Sequence, residues 1–219
     1  MGVRAAGSLI GVHVVLLVLL TVGVAAELRP LPEFDAAVAT WAFDHTKTTP
    51  RWIEWCQALS HYGDPWALRA VLVAAAAVQV WWGRRGLAVW LVGVVVVETV
   101  VAPLAKFAIP RARPEWSDPL AVEPGLSYPS GHAAAAGMLM VSATLMVLMN
   151  SAARALRVAL ILTGGVVGGM IAASRIFLGV HFLSDVLAGL LLGSLLTLGT
   201  WLLMLRFRNR PRRSVLRDT

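Results

Sequence analysis

The stretch GLAVWLVGVVVVETVVAPLA, residues 86–105, carries a single ionisable side chain, Glu98, and is followed at once by Lys106. A run of about 20 predominantly apolar residues is what a helix needs to cross the hydrocarbon core of a bilayer. Five more apolar blocks surround it, at roughly Ala5–Ala26, Trp66–Trp82, Gly131–Met149, Val158–Ala173 and Phe182–Leu205. Trp66–Trp82 and Val158–Ala173 lie near the lower limit of about 17 residues, so their ends are fixed only loosely. Over all 219 residues, 58% are hydrophobic and 14% charged, where a soluble domain carries about 25% charged residues. Disorder, a collagen repeat and a disulfide scaffold are excluded, the last because Cys56 is the lone cysteine. The expectation is an all-α, polytopic membrane bundle of six transmembrane helices, one domain over 1–219, with a basic tail at 206–219.

The formal charge of +7 could suggest a nucleic-acid partner, but position argues against it. Six crossings put both termini on one side. That side holds Arg4, Arg84, Arg85, Arg154, Arg157 and the tail arginines from Arg206 to Arg217, eleven of the 19 basic residues, against Asp218. The other side has eight basic and ten acidic residues, leaving Glu98 inside a span. Positive charge at span ends marks the cytoplasmic face. Both termini are therefore expected in the cytoplasm, and the basicity reports topology. Val24-Ala25-Ala26 before Glu27 also offers the small residues of a signal cleavage site. The apolar run ahead of it exceeds the roughly 7–15 residues of a signal core, so it is read as a retained span with cleavage as the alternative.

The cytoplasmic turns at 83–85 and 150–157 are short, so spans two and three should pair, as should four and five. The outer segments 27–65, 106–130 and 174–181 are where functional residues are to be sought, since loops on a rigid frame carry function. In 27–65, Phe34, Val38, Trp41 and Ala42, then Trp52, Ile53, Trp55, Cys56 and Leu59, recur at helical spacing. Two amphipathic helices at the outer bilayer interface are expected, either capping the bundle or gating substrate.

Three clusters with chemical potential stand on the outer side. Lys106-Phe-Ala-Ile-Pro-Arg-Ala-Arg113-Pro114 follows span three, and Pro129-Ser130-Gly131-His132 opens span four. Ser174-Arg175, then His181 and Asp185, join spans five and six. Lys106, Arg113 and Arg175 converge from three loops, which costs repulsion unless an anion neutralises them. A guanidinium fork fits phosphate oxygens, and Ser130 with the free N–H groups of a helix start adds an anion site. His181 and Asp185, four apart, share a helix face. A carboxylate on one imidazole nitrogen leaves the other free to attack, and His132 is then available to protonate a leaving oxygen. This describes phosphoryl transfer through a phosphohistidine. Metal binding is the weaker reading, because no zinc-type motif is present and the cations would repel a metal.

Together the clusters K-x6-RP, PSGH and SR-x5-H-x3-D resemble the signature of the type 2 phosphatidic acid phosphatase superfamily. All eleven specified positions are in order and correctly spaced across the motif core, 106–185. The resemblance implies an all-helical bundle, no metal or other cofactor, and an outward-facing active site. It also implies His181 as nucleophile, Asp185 as its orienting partner, His132 as acid/base, and Lys106, Arg113, Ser130, Gly131 and Arg175 as phosphate binders. The residues alone do not single out Gly131 or reject Arg111.

Accessory candidates are Glu98, either a counter-ion for the cationic site or a neutral packing carboxyl; Arg111, either on the phosphate or facing water; and His61, in a turn with Asp64. His13 reads as a packing residue and His45 as solvated. Ala133–Ala136 and the glycines Gly164, Gly165, Gly168 and Gly169 read as close helix packing. The expected function is a lipid phosphate phosphatase at the outer leaflet of a bacterial plasma membrane. Its substrate is expected to be a polyprenyl diphosphate or a glycerophospholipid phosphate such as phosphatidic acid or phosphatidylglycerophosphate. The alternative is a lipid phosphotransferase.

Overall fold

A computed structural model of the chain describes residues 1–149 and 153–208. Among these residues there are eight helices and no strand. They are α1 (Val3–Ala25), α2 (Leu31–Lys47), α3 (Pro50–Tyr62), α4 (Pro65–Trp81), α5 (Arg85–Lys106), α6 (Gly131–Met149), α7 (Arg154–Phe177) and α8 (Leu183–Arg208). Local chemistry sets the boundaries. Pro32, Pro50 and Pro65 fall in the first turns of α2, α3 and α4, where a missing N–H leaves nothing unpaired. The Asp64 carboxylate caps α4 by accepting from Trp66 N at 2.8 Å. Gly83, at φ +72, turns the chain from α4 into α5, a left-handed conformation that favours glycine.

Five helices, α1, α5, α6, α7 and α8, are long and apolar enough to cross a membrane. The block expected at Val158–Ala173 is the middle of the 24-residue α7. The block at Trp66–Trp82 folds as α4, which is apolar but only 17 residues long. α4 packs on α5 and α6 on α7, the pairing that the short turns predict. Residues 150–152 of the second turn, and the tail residues Arg210, Arg212, Arg213, Arg217 and Asp218, lie outside the described residues.

The centre of the bundle is the contact between α6 and α8. Ala133–Ala136 are all fully buried there. A Cβ at Gly137 would stand 2.5 Å from Leu190 O, and one at Gly189 or Gly193 would strike the backbone of Ser130 or Ala134. The closest helix approach therefore uses Gly137, Gly189 and Gly193. Of the α7 glycines expected in this role, only Gly168 is pressed by a neighbour, Met140; Gly164, Gly165 and Gly169 face open space. At the end away from the site, Trp90 and Trp201 meet edge-on with centroids 4.9 Å apart in a core with Leu72, Leu91, Val94 and Met138.

The two helices expected in 27–65 are α2 and α3, both packed against α7. The apolar stripe of α2 is split: Phe34 and Trp41 are exposed, whereas Ala42 is buried and Val38 packs beside it. Its buried face is Asp35, Ala39, Ala42, Phe43 and Thr46. Segment 107–130 contains no helix and crosses the site end of the bundle. Trp116 pins it, stacking on Phe43 with centroids 3.9 Å apart and donating to Gly179 O at 2.8 Å. Gly179 sits at φ +71, where a Cβ would also meet Trp116 and Phe43.

Candidate active site

The sequence clusters occupy helix ends that the fold brings together: Lys106 ends α5, Gly131 and His132 begin α6, Arg175 is in the last turn of α7, and Asp185 is in the first turn of α8. The Ser130 N–H donates to Asp185 O at 3.0 Å, which ties the start of α6 to the start of α8. Ser130 is fully buried, and its hydroxyl faces Ala133 N at 3.5 Å. His181 lies just before α8 and is buried. Its Nδ1 is 3.5 Å from Asp185 Oδ2 and 3.3 Å from Ser127 Oγ, so this side of the ring is turned to acceptors. Asp185 Oδ2 is itself fixed by Ser127 Oγ at 2.5 Å and Phe182 N at 2.9 Å.

The other imidazole nitrogen looks into the cations. Nε2 of His181 lies 3.1 Å from Arg113 Nη1. Arg113 is held by backbone carbonyls, donating to Val180 O at 2.8 Å and Gly125 O at 3.1 Å. Lys106 Nζ donates to Leu126 O at 2.8 Å. Arg175 donates to Ser60 Oγ, and to Glu123 Oε1 at 2.5 Å; its buried Nε has no partner among the described residues. His132 lies within electrostatic reach of Arg175, Glu123, Asp64 and His181.

Burial pushes the His181 imidazole down to about 4 from its ordinary 6.5. Asp185 opposes the shift, while Arg113 and Arg175 add to it. The ring is therefore neutral at pH 7, and when Nδ1 keeps the proton the Nε2 lone pair accepts from Arg113 Nη1. Burial would raise the Glu123 carboxyl, but the charge and hydrogen bond of Arg175 more than offset this and hold it below the ordinary range. Beside the cations, a cleft of about 620 Å³ opens between the end of α1, the start of α2 and residues 108–113. Val24, Leu31, Ile109 and Phe182 make its apolar wall, and Arg111 and Arg113 its polar edge.

The family model described as PAP2 superfamily matches residues 87–209, more than half of the chain and every residue of this site from Lys106 to Asp185. The chain belongs to the PAP2 superfamily. Phosphatidylglycerophosphatase B of Bacillus subtilis (strain 168) is 38% identical over 89 residues. That match spans 40% of this chain and 43% of the relative, less than half its length. The crystal structure of a transmembrane PAP2-type phosphatidylglycerolphosphate phosphatase from Bacillus subtilis shares the fold. It superposes with a TM-score of 0.76 at 22% identity, over 93% of this chain and 98% of that one.

Within this PAP2 fold the accessory candidates separate. Glu98 accepts from Arg69 Nε of α4 at 2.8 Å, so its partner is Arg69 and not the cationic site; Arg69, counted above among the outer charges, is buried in the bundle. His61 is exposed, edge-on to Tyr62, while the neighbouring Ser60 is the residue that reaches Arg175. Arg111 binds carboxylates: Asp185 Oδ1 and Asp35 Oδ2, each at 2.7 Å. Ser127, Glu123, Asp35 and Ser60 belong to the site and carry no motif in the sequence. The signal that could have found Asp35 is a lone acid at i−4 and i−7 from Ala39 and Ala42 on the buried face of α2.

Proposed function

We propose that this protein is a membrane phosphatase that removes phosphate from a lipid headgroup through a phosphohistidine. The observation that carries the reading is His181: one ring nitrogen faces Asp185 and Ser127, and the other faces Arg113 at 3.1 Å. Lys106, Arg113, Arg175, the Ser130 hydroxyl and the N–H group of Gly131 hold the phosphate oxygens and stabilise the charge that spreads over them. The Nε2 lone pair attacks phosphorus as the bond to the leaving oxygen breaks, and His132 gives that oxygen a proton. Water then attacks phosphorus as the P–N bond breaks and its electron pair returns to Nε2, His132 takes the water's proton, and inorganic phosphate leaves a neutral His181. Asp185 stabilises the positive ring in between and keeps the Nδ1 proton in place.

The substrate proposed first is phosphatidylglycerophosphate, supported by the names of the two relatives and by the apolar cleft beside Arg113. Its tail would lie in the bilayer against that cleft. Membership of the bacterial plasma membrane, six crossings with α4 as the short one, cytoplasmic termini and an outward-facing site complete the reading. The exposed Phe34, Trp41 and Trp55 suit α2 and α3 lying at the outer interface, where Trp is favoured.

The test is phosphate release by the purified full-length protein in detergent with EDTA present. Phosphatidylglycerophosphate, phosphatidic acid and polyprenyl diphosphate are compared, with His181→Ala as control. Release that survives EDTA and vanishes in the variant is expected, and the ranking of rates names the substrate. A new phosphorylated acceptor in place of free phosphate would replace hydrolysis with phosphotransfer. Release indifferent to His181 would overturn the reading.

A further inference from the structure

Arg111 stands five residues beyond Lys106 and two before Arg113, where a third phosphate-binding cation is the natural guess. Its side chain goes elsewhere. Nη1 donates to Asp185 Oδ1 at 2.7 Å and to Ser184 Oγ at 2.6 Å, and Nη2 donates to Asp35 Oδ2 at 2.7 Å. Asp35 closes the ring, accepting from Ser184 N at 2.9 Å and from the Ser184 hydroxyl. The guanidinium lies over the Phe182 ring with its carbon 4.2 Å from the centroid. Asp35, Ser184 and Asp185 are all essentially inaccessible. Three of its five N–H donors are thus already spent on Asp185, Ser184 and Asp35.

We propose that Arg111 and Asp35 are positioning residues: Arg111 grips the far oxygen of Asp185 and Asp35 grips Arg111, so that the near oxygen stays aimed at His181 Nδ1. The arrangement also sets charge. Arg111 alone would cancel Asp185 and leave the imidazole facing a neutral pair. With Asp35 included the cluster carries two negative charges and one positive, and a net negative charge remains behind the ring. This inference rests on the phosphatase reading above, in which His181 is the nucleophile.

The two residues should therefore displace the acid limb of the pH profile in opposite directions. The charged or titratable groups around His181 are Asp185 from α8, Arg175 from α7, His132 from α6, Lys106 from the end of α5, and Arg113 and Glu123 from segment 107–130. None of them is altered by the variants. Asp35→Asn removes negative charge, so the protonated ring is less favoured and the acid limb moves to lower pH. Arg111→Gln removes positive charge, so the limb moves up towards neutrality.

The experiment measures kcat, KM and the pH profile of kcat/KM for phosphate release by the full-length protein in detergent. The proteins are wild type, Asp35→Asn, Arg111→Lys, Arg111→Gln and the double variant. Both single neutralisations should lower kcat by roughly 10- to 100-fold, the size expected for a misplaced reacting group, with KM nearly unchanged. The double variant should return the acid limb towards its wild-type position, and Arg111→Lys should recover part of kcat. Asp35→Asn is nearly isosteric and keeps the test informative if Arg111→Gln folds poorly. Acid limbs unmoved in Asp35→Asn, or a raised KM with unchanged kcat on loss of Arg111, would overturn the inference while leaving an active wild type. An inactive wild type, or one indifferent to His181→Ala, would instead overturn the phosphatase reading and this inference with it.

Discussion

Arg113 and His181 point at one another: the Nη1 of the first lies 3.1 Å from the Nε2 of the second. The guanidinium thus donates to the nitrogen that attacks in the proposed reaction, and a phosphoryl group entering between them would be gripped by one and attacked by the other. Arg113→Ala should lower kcat/KM for phosphate release by about 10²–10³-fold, the usual cost of losing a donor to developing charge. Arg113→Lys should lose less, because it keeps the charge and gives up only the fork. Initial rates at subsaturating lipid check both.

The depressed His181 has two consequences in acid. In the proposed reaction His181 must be neutral to attack, so the acid limb of kcat/KM should fall near pH 4 in place of 6.5, since burial lowers its affinity for a proton. Stability follows the same sign. Between these two values the unfolded chain binds more protons at this position than the folded one, so this residue's contribution falls as pH drops through the window. A pH series of rates, paired with unfolding midpoints for wild type and His181→Asn, tests the two together. A wild-type limb remaining near 6.5 would contradict the buried, neutral ring.

Ser127 donates to Asp185 and faces His181 Nδ1, so Ser127→Ala should act on orientation. A hydrogen bond to a charged group is worth about 1.5–3 kcal/mol. The expected effect is a drop of roughly 10- to 100-fold in kcat with little change in KM, the pattern of an interaction that matters in the transition state. Steady-state kinetics distinguish this from a binding defect.

Glu98 and Arg69 form a buried pair inside the bundle. Glu98→Ala leaves an uncompensated buried cation, a change that costs about 3–5 kcal/mol. The unfolding midpoint in detergent should fall sharply, while folded protein at low temperature keeps its KM. A selective rise in KM would instead return Glu98 to the substrate site.

Gly193 and Gly199 lie on the same helix and make a matched comparison. A Cβ at 193 meets the Ala134 backbone, whereas one at 199 meets nothing within 4 Å. Gly193→Ala should destabilise by about 1–3 kcal/mol through overpacking, and Gly199→Ala should be neutral or slightly stabilising. Thermal unfolding of the two variants side by side is the check.

The sequence made the helices and the motif residues legible because both are local signals: apolar runs announce helices, and Lys106, Arg113, His132, Arg175, His181 and Asp185 have side chains with little other business at span ends. What it hid was long-range or two-faced. Asp35 meets Ser184 across 149 positions and Ser127 meets Asp185 across 58, separations that no local pattern encodes. The stripe at Phe34 and Trp41 was visible, but lipid and core are equally apolar, so hydrophobicity alone could not say that it points outward. The α7 glycines misled for a related reason: a glycine permits close approach without saying where it happens.

The seam between α6 and α8 separates what can vary from what cannot. Gly137, Gly189 and Gly193 leave no room between the two helices, and the Ser130 N–H bond to Asp185 O fastens their leading ends. His132 and Asp185 therefore ride on one stiff chassis. The walls beside it, α2, α3 and segment 107–130, lend it a few side chains only: Asp35, Ser60, Arg113, Glu123 and Ser127. Exposed positions on those walls, Phe34 and Trp55 among them, can change without disturbing either those contacts or the seam.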